Sequence, residues 1–306
     1  MNRSIGLLTV CIANVLALVA CGGGYEAAQA PAAAASAPPA IAGYAAIELA
    51  SDRVDPNLSN SWGLAIDSSG SIRVNDKANS LATRYEQNGT VAEVISLPAG
   101  DRLSAYTAVA VVARGDEALL YAADFRGGSV HVFDREFNRL QAPGGFVDAN
   151  VPQGFAPFGI QAIGALVYVA YAKRDGQAAA AIAGEGLGLV SVFDAAGNLI
   201  RRLVAPGGKL NAPWGIARAP AGFGRFAGML LVANSGDGTI AAFDPSGRFL
   251  GSLSTSDGAI IVIDGLRGIA FDTRPADTSI VITPSLFFTA GPDSGRHGAL
   301  GRIDAR

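Results

Sequence analysis

A short phrase recurs along the chain: a bulky residue, glycine, an aliphatic, then a small or polar residue. It reads Trp62-Gly63-Leu64-Ala65, Phe158-Gly159-Ile160-Gln161, Trp214-Gly215-Ile216-Ala217 and Arg267-Gly268-Ile269-Ala270. Apolar runs that end on a small or polar residue follow, at 119–124, 166–171, 230–234 and 286–290. A third type of run closes on an aromatic and an acid, as Val132-Phe133-Asp134, Val192-Phe193-Asp194 and Ala242-Phe243-Asp244. A period of roughly 45–55 residues with three or four short strands per copy is the pattern of a β-propeller. One copy cannot bury its own apolar faces, so the copies must stack around an axis. Such a ring fixes where a site would lie, on the central channel, without fixing its chemistry.

Five copies can be counted, at 62–97, 106–140, 158–204, 214–253 and from 267 onward. In the second, Thr107-Ala108-Val109-Ala110 replaces the usual opening. The last copy lacks an outer strand, and the apolar run at 44–49 lacks a blade of its own. Pairing the two would close the ring and cover both open edges. Hairpin turns are explicit in Asp244-Pro245-Ser246-Gly247 and Asp194-Ala195-Ala196-Gly197. The expected fold is therefore all-β: one propeller of four-stranded blades, five in number, spanning 44–306 and closed by its N-terminal strand.

Half of the residues are hydrophobic and only 16% charged, enough for an extensive core. Net charge is −3 with no Lys/Arg cluster, which excludes a nucleic-acid partner. Residues 1–20 have the form of a signal segment: Arg3 is followed by an apolar stretch of about 17 residues. It ends Leu18-Val19-Ala20-Cys21, similar to a bacterial lipobox, so Cys21 is the expected lipidation site. Residues 21–43 are rich in Ala, Pro and Gly and read as a tether that could span roughly 70 Å. The expected protein is exported and lipid-anchored to the outer membrane, which Gly22 favours, or to the cell membrane. Its domain would stand in the periplasm or at the cell surface, as a monomer. Cys11 lies in the signal segment, so the domain has no thiol for a disulfide, a metal or catalysis.

Two rings of side chains are candidates for a channel site. The opening residues Trp62, Thr107, Phe158, Trp214 and Arg267 could stack a planar ligand and pair its carboxylate, or fill space where the blades converge. The residues ending the second strands, Asp76, Asp124, Tyr171, Asn234 and Ala290, include two carboxylates and an amide. Asp76, Asp124 and Asn234 could hold Ca²⁺ or another divalent cation, or brace their own turns. His297 is a candidate general base with Asp293 as its orienter. His131, within a third strand, is expected to face solvent. There is no Gly-x-Ser-x-Gly, His-Glu-x-x-His or P-loop motif.

Several segments carry a family resemblance. They are Asp55-Pro56-Asn57-Leu58 ahead of Ser61-Trp62-Gly63-Leu64-Ala65, Leu120-Tyr121-Ala122-Ala123-Asp124-Phe125, Phe155-Ala156-Pro157-Phe158-Gly159, Asn211-Ala212-Pro213-Trp214-Gly215 and Phe288-Thr289-Ala290-Gly291-Pro292. The chain resembles an uncharacterised family of exported bacterial propellers, some with PEP-CTERM sorting tails. More distantly it is similar to NHL-repeat and SMP-30/gluconolactonase-like propellers. The resemblance implies six blades, whereas this chain lacks a repeat between Pro98 and Tyr106 and has no sorting tail. Lactonases of that type bind a metal through carboxylates and an amide. Two functions follow as expectations. The favoured one is a non-enzymatic envelope module binding a protein, peptide or glycan. The alternative is a metal-dependent lactonase or esterase working in the channel.

Overall fold

The computed structural model describes residues 43–306 except 67–69, 77–80, 97–105, 115–116, 135, 177–179 and 273–283. Cys21, the signal segment and nearly all of the tether lie outside the described residues. The first strand, β1 (Tyr44–Ser51), precedes the blades. Blade 1 holds β2 (Ser61–Ile66), β3 (Ile72–Asp76), β4 (Leu81–Tyr85) and β5 (Val91–Ser96). Blade 2 holds β6 (Tyr106–Arg114), β7 (Glu117–Asp124), β8 (Ser129–Phe133) and β9 (Arg139–Leu140). Blade 3 holds β10 (Phe155–Ile163), β11 (Leu166–Lys173), β12 (Gly188–Asp194) and β13 (Leu199–Val204). Blade 4 holds β14 (Pro213–Arg218), β15 (Leu230–Asn234), β16 (Ile240–Phe243) and β17 (Phe249–Ser252). Blade 5 combines β18 (Leu266–Phe271), β19 (Ser285–Ala290) and β20 (Ala299–Ala305) with β1 on the outside.

All five sheets have four strands, and their ladders are antiparallel throughout. The ring closes as the sequence led us to expect. β1 pairs with β20 from Tyr44 opposite Ala305 to Ser51 opposite Ala299. Gly43 and Arg306 exchange backbone hydrogen bonds beyond the last pair, at 3.2 and 2.8 Å. Tyr44 anchors this strand from inside the core. Its ring is 2% exposed, its hydroxyl donates to the Phe223 carbonyl at 3.2 Å, and it accepts from the Phe226 N–H at 3.2 Å.

Blades press on neighbours with both faces, so their middle strands are apolar almost continuously rather than in alternation. In β12, Leu189, Val190, Val192 and Phe193 are all essentially inaccessible. The acid that ends the repeated third-strand phrase serves the hairpin that follows. Asp194 accepts from the N–H groups of Ala196 and Asn198, and Asp244 accepts likewise from Ser246 and Arg248. These bonds hold both carboxyls below the usual carboxylate range, led by side-chain donation from Asn198 and Ser246.

Four apolar layers glue the blades together. Tyr121, Phe146 and Phe193 join blades 2 and 3, and Val190, Val232 and Phe243 join blades 3 and 4. Leu231, Phe271 and Phe288 join blades 4 and 5, and Ile72, Tyr85 and Phe287 join blades 5 and 1. Among the described residues no corresponding layer lies between blades 1 and 2. Ala108, Ala110 and Val112 of β6 pack toward blade 3, so alternation turns Val109 and Val111 toward blade 1. There they remain 54% and 61% exposed. The facing row of blade 1 is Ala65, Arg73, Arg84 and Glu93, aligned across β2 to β5. Arg84 bonds Glu93 there at 3.3 Å. Among the described residues, an apolar wall and a charged wall thus face one another at the seam between blades 1 and 2.

Candidate functional site

Four of the five opening residues meet on the propeller axis. Trp62 and Trp214 contact edge to face at 4.6 Å, and Phe158 lies 4.9 Å from Trp214. Phe125 backs Phe158 at 4.6 Å. The Arg267 guanidinium lies over both Trp rings, at 5.0 and 5.7 Å. It donates to Asn60 Oδ1 at 2.5 Å and to the Ser61 carbonyl at 2.8 Å. Asn60 also accepts from Trp62 Nε1 at 3.0 Å, from a left-handed backbone (φ 54°) that turns its side chain toward both groups. Burial pushes the Arg267 pKa down to about 10, which leaves it charged at neutral pH. Thr107, the fifth member, donates to the Phe158 carbonyl at 2.7 Å. Phe158 and Trp214 are each 5% exposed. The aromatic ring therefore packs as a plug across one end of the channel.

Behind the plug lies a cavity of about 370 Å³. Trp62 and Trp214 line it, while Phe158 and Arg267 do not. Its walls are the third residues of the repeated phrase, Leu64, Val109, Ile160, Ile216 and Ile269. Among the described residues, Thr107, Gln161 and Arg73 add polar side chains to the lining, and Arg73 is the one that carries a charge. Among the described residues the channel is thus a cup with an aromatic floor and largely aliphatic walls, bounded on one side by blades 1 and 2.

The second ring is placed at equivalent strand ends, but its polar members Asn234 and Asp124 are engaged locally. Asn234 Oδ1 accepts from the Asn211 N–H at 3.0 Å, and its Nδ2 donates to the Lys209 carbonyl and Thr239 Oγ1 at 3.0 and 3.1 Å. Asp124 Oδ1 accepts from the Gly127 N–H at 3.0 Å, and its other oxygen lies 3.9 Å from His131 Nε2. Asp76 ends β3 opposite Ser61, and its side chain lies outside the described residues. The Tyr171 hydroxyl is buried without a hydrogen-bond partner, and burial pushes its pKa well above the usual value. Among the described residues no group of three or more His, Cys, Asp or Glu side chains is placed to share a metal.

His297 is oriented by a different acid from the one expected. Its Nδ1 lies 2.7 Å from Asp52 Oδ2, whereas Asp293 Oδ2 is 4.0 Å from Nε2. Asp293 instead pairs with Arg296 at 2.5 Å. The Asp52 N–H also bonds the Gly298 carbonyl, and the Asn60 N–H bonds that of His297. This cluster sits just past the closing strand and ties blade 5 to blade 1. His131 corrects the expectation that it faces solvent, being only 7% exposed. It is sealed by Tyr106, whose hydroxyl is 2.8 Å from Nδ1, and by Ser129 at 3.1 Å from Nε2. Burial and the charge of Arg139 lower its pKa against the upward pull of Asp124, so it is neutral at neutral pH. The cup and its seam escaped sequence reasoning; the signal for them was the divergent opening of copy two and the short link before it.

Fold and site together define a five-bladed propeller with a channel plugged at one end. No protein-family model matches the chain. An uncharacterised protein of Acanthamoeba polyphaga mimivirus is 40% identical over 191 residues, 60% of this chain and 45% of that protein. A second from the same virus is 38% identical over 189 residues, 60% of this chain and 48% of its own length. The chain spans less than half the length of these curated relatives. Among solved structures, a putative gluconolactonase shares 13% identity at a TM-score of 0.45, covering 86% of this chain and 93% of its own. Streptogramin B lyase shares 11% at 0.42, covering 88% and 100%. The fold assignment rests on the five-sheet topology itself.

Proposed function

We propose that this protein is a binding propeller of the cell envelope, tethered through lipid on Cys21, whose cup receives a protein, peptide or glycan partner. One observation carries the choice of binding over catalysis. The described polar side chains that offered chemistry (Asp124, Asn234, Arg267 and His297) brace turns, the plug and the ring closure, and the described walls left for a ligand are mainly aliphatic, with Arg73, Thr107 and Gln161 the polar side chains besides the Trp rings of the plug. The aliphatic part of that surface suits the apolar side chains of a protein or peptide better than the hydroxyls of a glycan.

A photoreactive residue at Ala65, which is exposed and lines the cup, tests this in intact cells. The expected result is one dominant adduct from Ala65 and none from Lys209, an exposed residue outside the cup. Equal or absent labelling from both positions would refute the binding role. Cys21→Ala tests the tether, with release from the membrane fraction as the expected outcome. Unchanged membrane association and processing would remove the lipid anchor from the proposal.

A further inference from the structure

The outer strands allow one position to be compared around the ring. In blades 3 and 4 a hairpin joins the third strand to the outer one, which opens with Leu199 opposite Phe193 and Phe249 opposite Phe243. In blade 5 the corresponding strands are β20 and β1. Gly43 and Arg306 therefore meet where that hairpin would be. The chain coming from Cys21 joins the domain on this hairpin rim, 22 residues after that cysteine.

The rim beside the entry is apolar. Leu199 and Ile200 open β13, and Phe249 and Leu250 open β17. Ile260 bridges Ser254, whose carbonyl accepts from the Tyr44 N–H at 2.9 Å. The five apolar residues are 37–57% exposed. Exposed apolar residues scattered singly need no explanation, but these share one stretch of rim that runs up to the point of entry. The hairpin of blade 4 draws the two pairs together. Arg201 Nη2 of β13 donates to its Pro245 carbonyl at 2.6 Å, and a Cβ at Gly247 would lie 1.8 Å from the Leu203 carbonyl oxygen.

We infer that this rim docks on the lipid bilayer, with Leu199, Ile200, Phe249, Leu250 and Ile260 set into its headgroup layer. The inference rests on the proposed lipid on Cys21. The length of chain between anchor and rim selects the bilayer as the occupant. At about 3.3 Å per residue, 22 residues reach at most about 70 Å. An anchor so close keeps the rim at high effective concentration beside the membrane, where contacts too weak to act alone suffice. The headgroup boundary also takes up apolar side chains in proportion to their area, whereas a protein partner needs a packed pocket around its anchors. Outer strands lie farthest from the axis, so docking sets the propeller on its edge and leaves the channel to its own partner.

The test uses the protein purified from membranes and reconstituted in phosphatidylcholine vesicles, with and without nitroxide-labelled lipid. The folded domain has no cysteine of its own. Ile200→Cys therefore places one fluorophore on the rim. Lys209→Cys places another at the plug end, where the Lys209 carbonyl accepts from Asn234 at 3.0 Å. Lipid nitroxide should quench the probe at 200 and spare the probe at 209. Leu250→Asp combined with Ile260→Asp should cut quenching at 200 by about tenfold or more, because two aliphatic contacts with lipid are lost. Both positions are exposed, so the fold should be spared, which an unchanged melting temperature checks. Equal quenching at 200 and 209, or quenching that survives the two Asp substitutions, would overturn the inference. A probe at 200 shielded from aqueous iodide yet untouched by lipid nitroxide would overturn it too, by assigning the rim to a protein or a second copy. Protein that floats with the vesicles without quenching at 200 rejects the docking alone. Protein that does not float with them rejects the lipid on Cys21 as well.

Discussion

Gly159→Ala probes the packing that makes the plug. A Cβ at Gly159 would lie 1.9 Å from the Trp214 carbonyl oxygen and 2.8 Å from its carbonyl carbon. Real Cβ atoms essentially never come closer than 3.0 Å, so the inner strands of blades 3 and 4 must separate. The obstacle is backbone on the neighbouring strand, so no side chain can rotate away. Overpacking costs about 1–3 kcal/mol, and a backbone obstacle places this case near about 3. For a domain of this size each kcal/mol lowers Tm by about 2–4 °C, giving a fall of about 6–12 °C. Differential scanning calorimetry of Gly159→Ala beside Gly208→Ala supplies the test. At Gly208 the nearest atom to a new Cβ is the Ala205 carbonyl oxygen at 3.9 Å, so that variant should melt within about 1 °C of the parent. If the two variants melt together, the inner strands yield freely and the plug is not the rigid floor described above.

Removing Asp148 should be costly. Its carboxylate is buried, receives Arg202 at 2.7 and 3.0 Å, and accepts from Ser191 at 2.7 Å. Asp148→Ala leaves Arg202 without this partner, and denaturant unfolding should show a loss of about 3 kcal/mol. Burial pushes the Asp148 carboxyl up, but donation from Ser191 and Arg202 outweighs it and holds the group below its ordinary value. Its contribution is thus full above the unfolded pKa of about 4 and fades as pH falls through the folded value. The gap between parent and variant should narrow in that acid range, and a gap independent of pH would contradict the reasoning. Tyr44→Phe removes one donated and one accepted hydrogen bond from the closing strand, and should cost about 1–2 kcal/mol by the same measurement. Ca²⁺, Mg²⁺ and Zn²⁺ should leave Tm unchanged, whereas a stabilisation lost in Asp124→Ala would establish the metal-dependent alternative.

The blades were legible because their signals are local. Alternation, a glycine after a bulky residue and an acid at the hairpin each declare a strand or turn within a few residues. Closure by residues 44–49 was legible by elimination, from one blade short of a strand and one strand without a blade. The site was less so. Val109 has the same aliphatic character as Ile160 or Ile216, and what sets it apart is that it joins no interblade layer among the described residues. His297 finds its acid at Asp52, 245 positions away, while the nearby Asp293 turns to Arg296. His131 was misjudged because a third-strand polar residue usually meets water, but here Tyr106 and Phe133 fold over it.

Ring closure has a consequence for how the chain is made. Of the described strands β1 is synthesised first, yet its partner among them, β20, begins at Ala299. At about 5–20 residues per second, translation leaves it waiting for roughly 10–50 s. During that interval an eight-residue strand carrying Tyr44 and Ile47 stands with both edges unpaired. The newborn protein is then at its most vulnerable to cross-pairing with a neighbour, and a chaperone that holds its first strand would set the yield of finished rings.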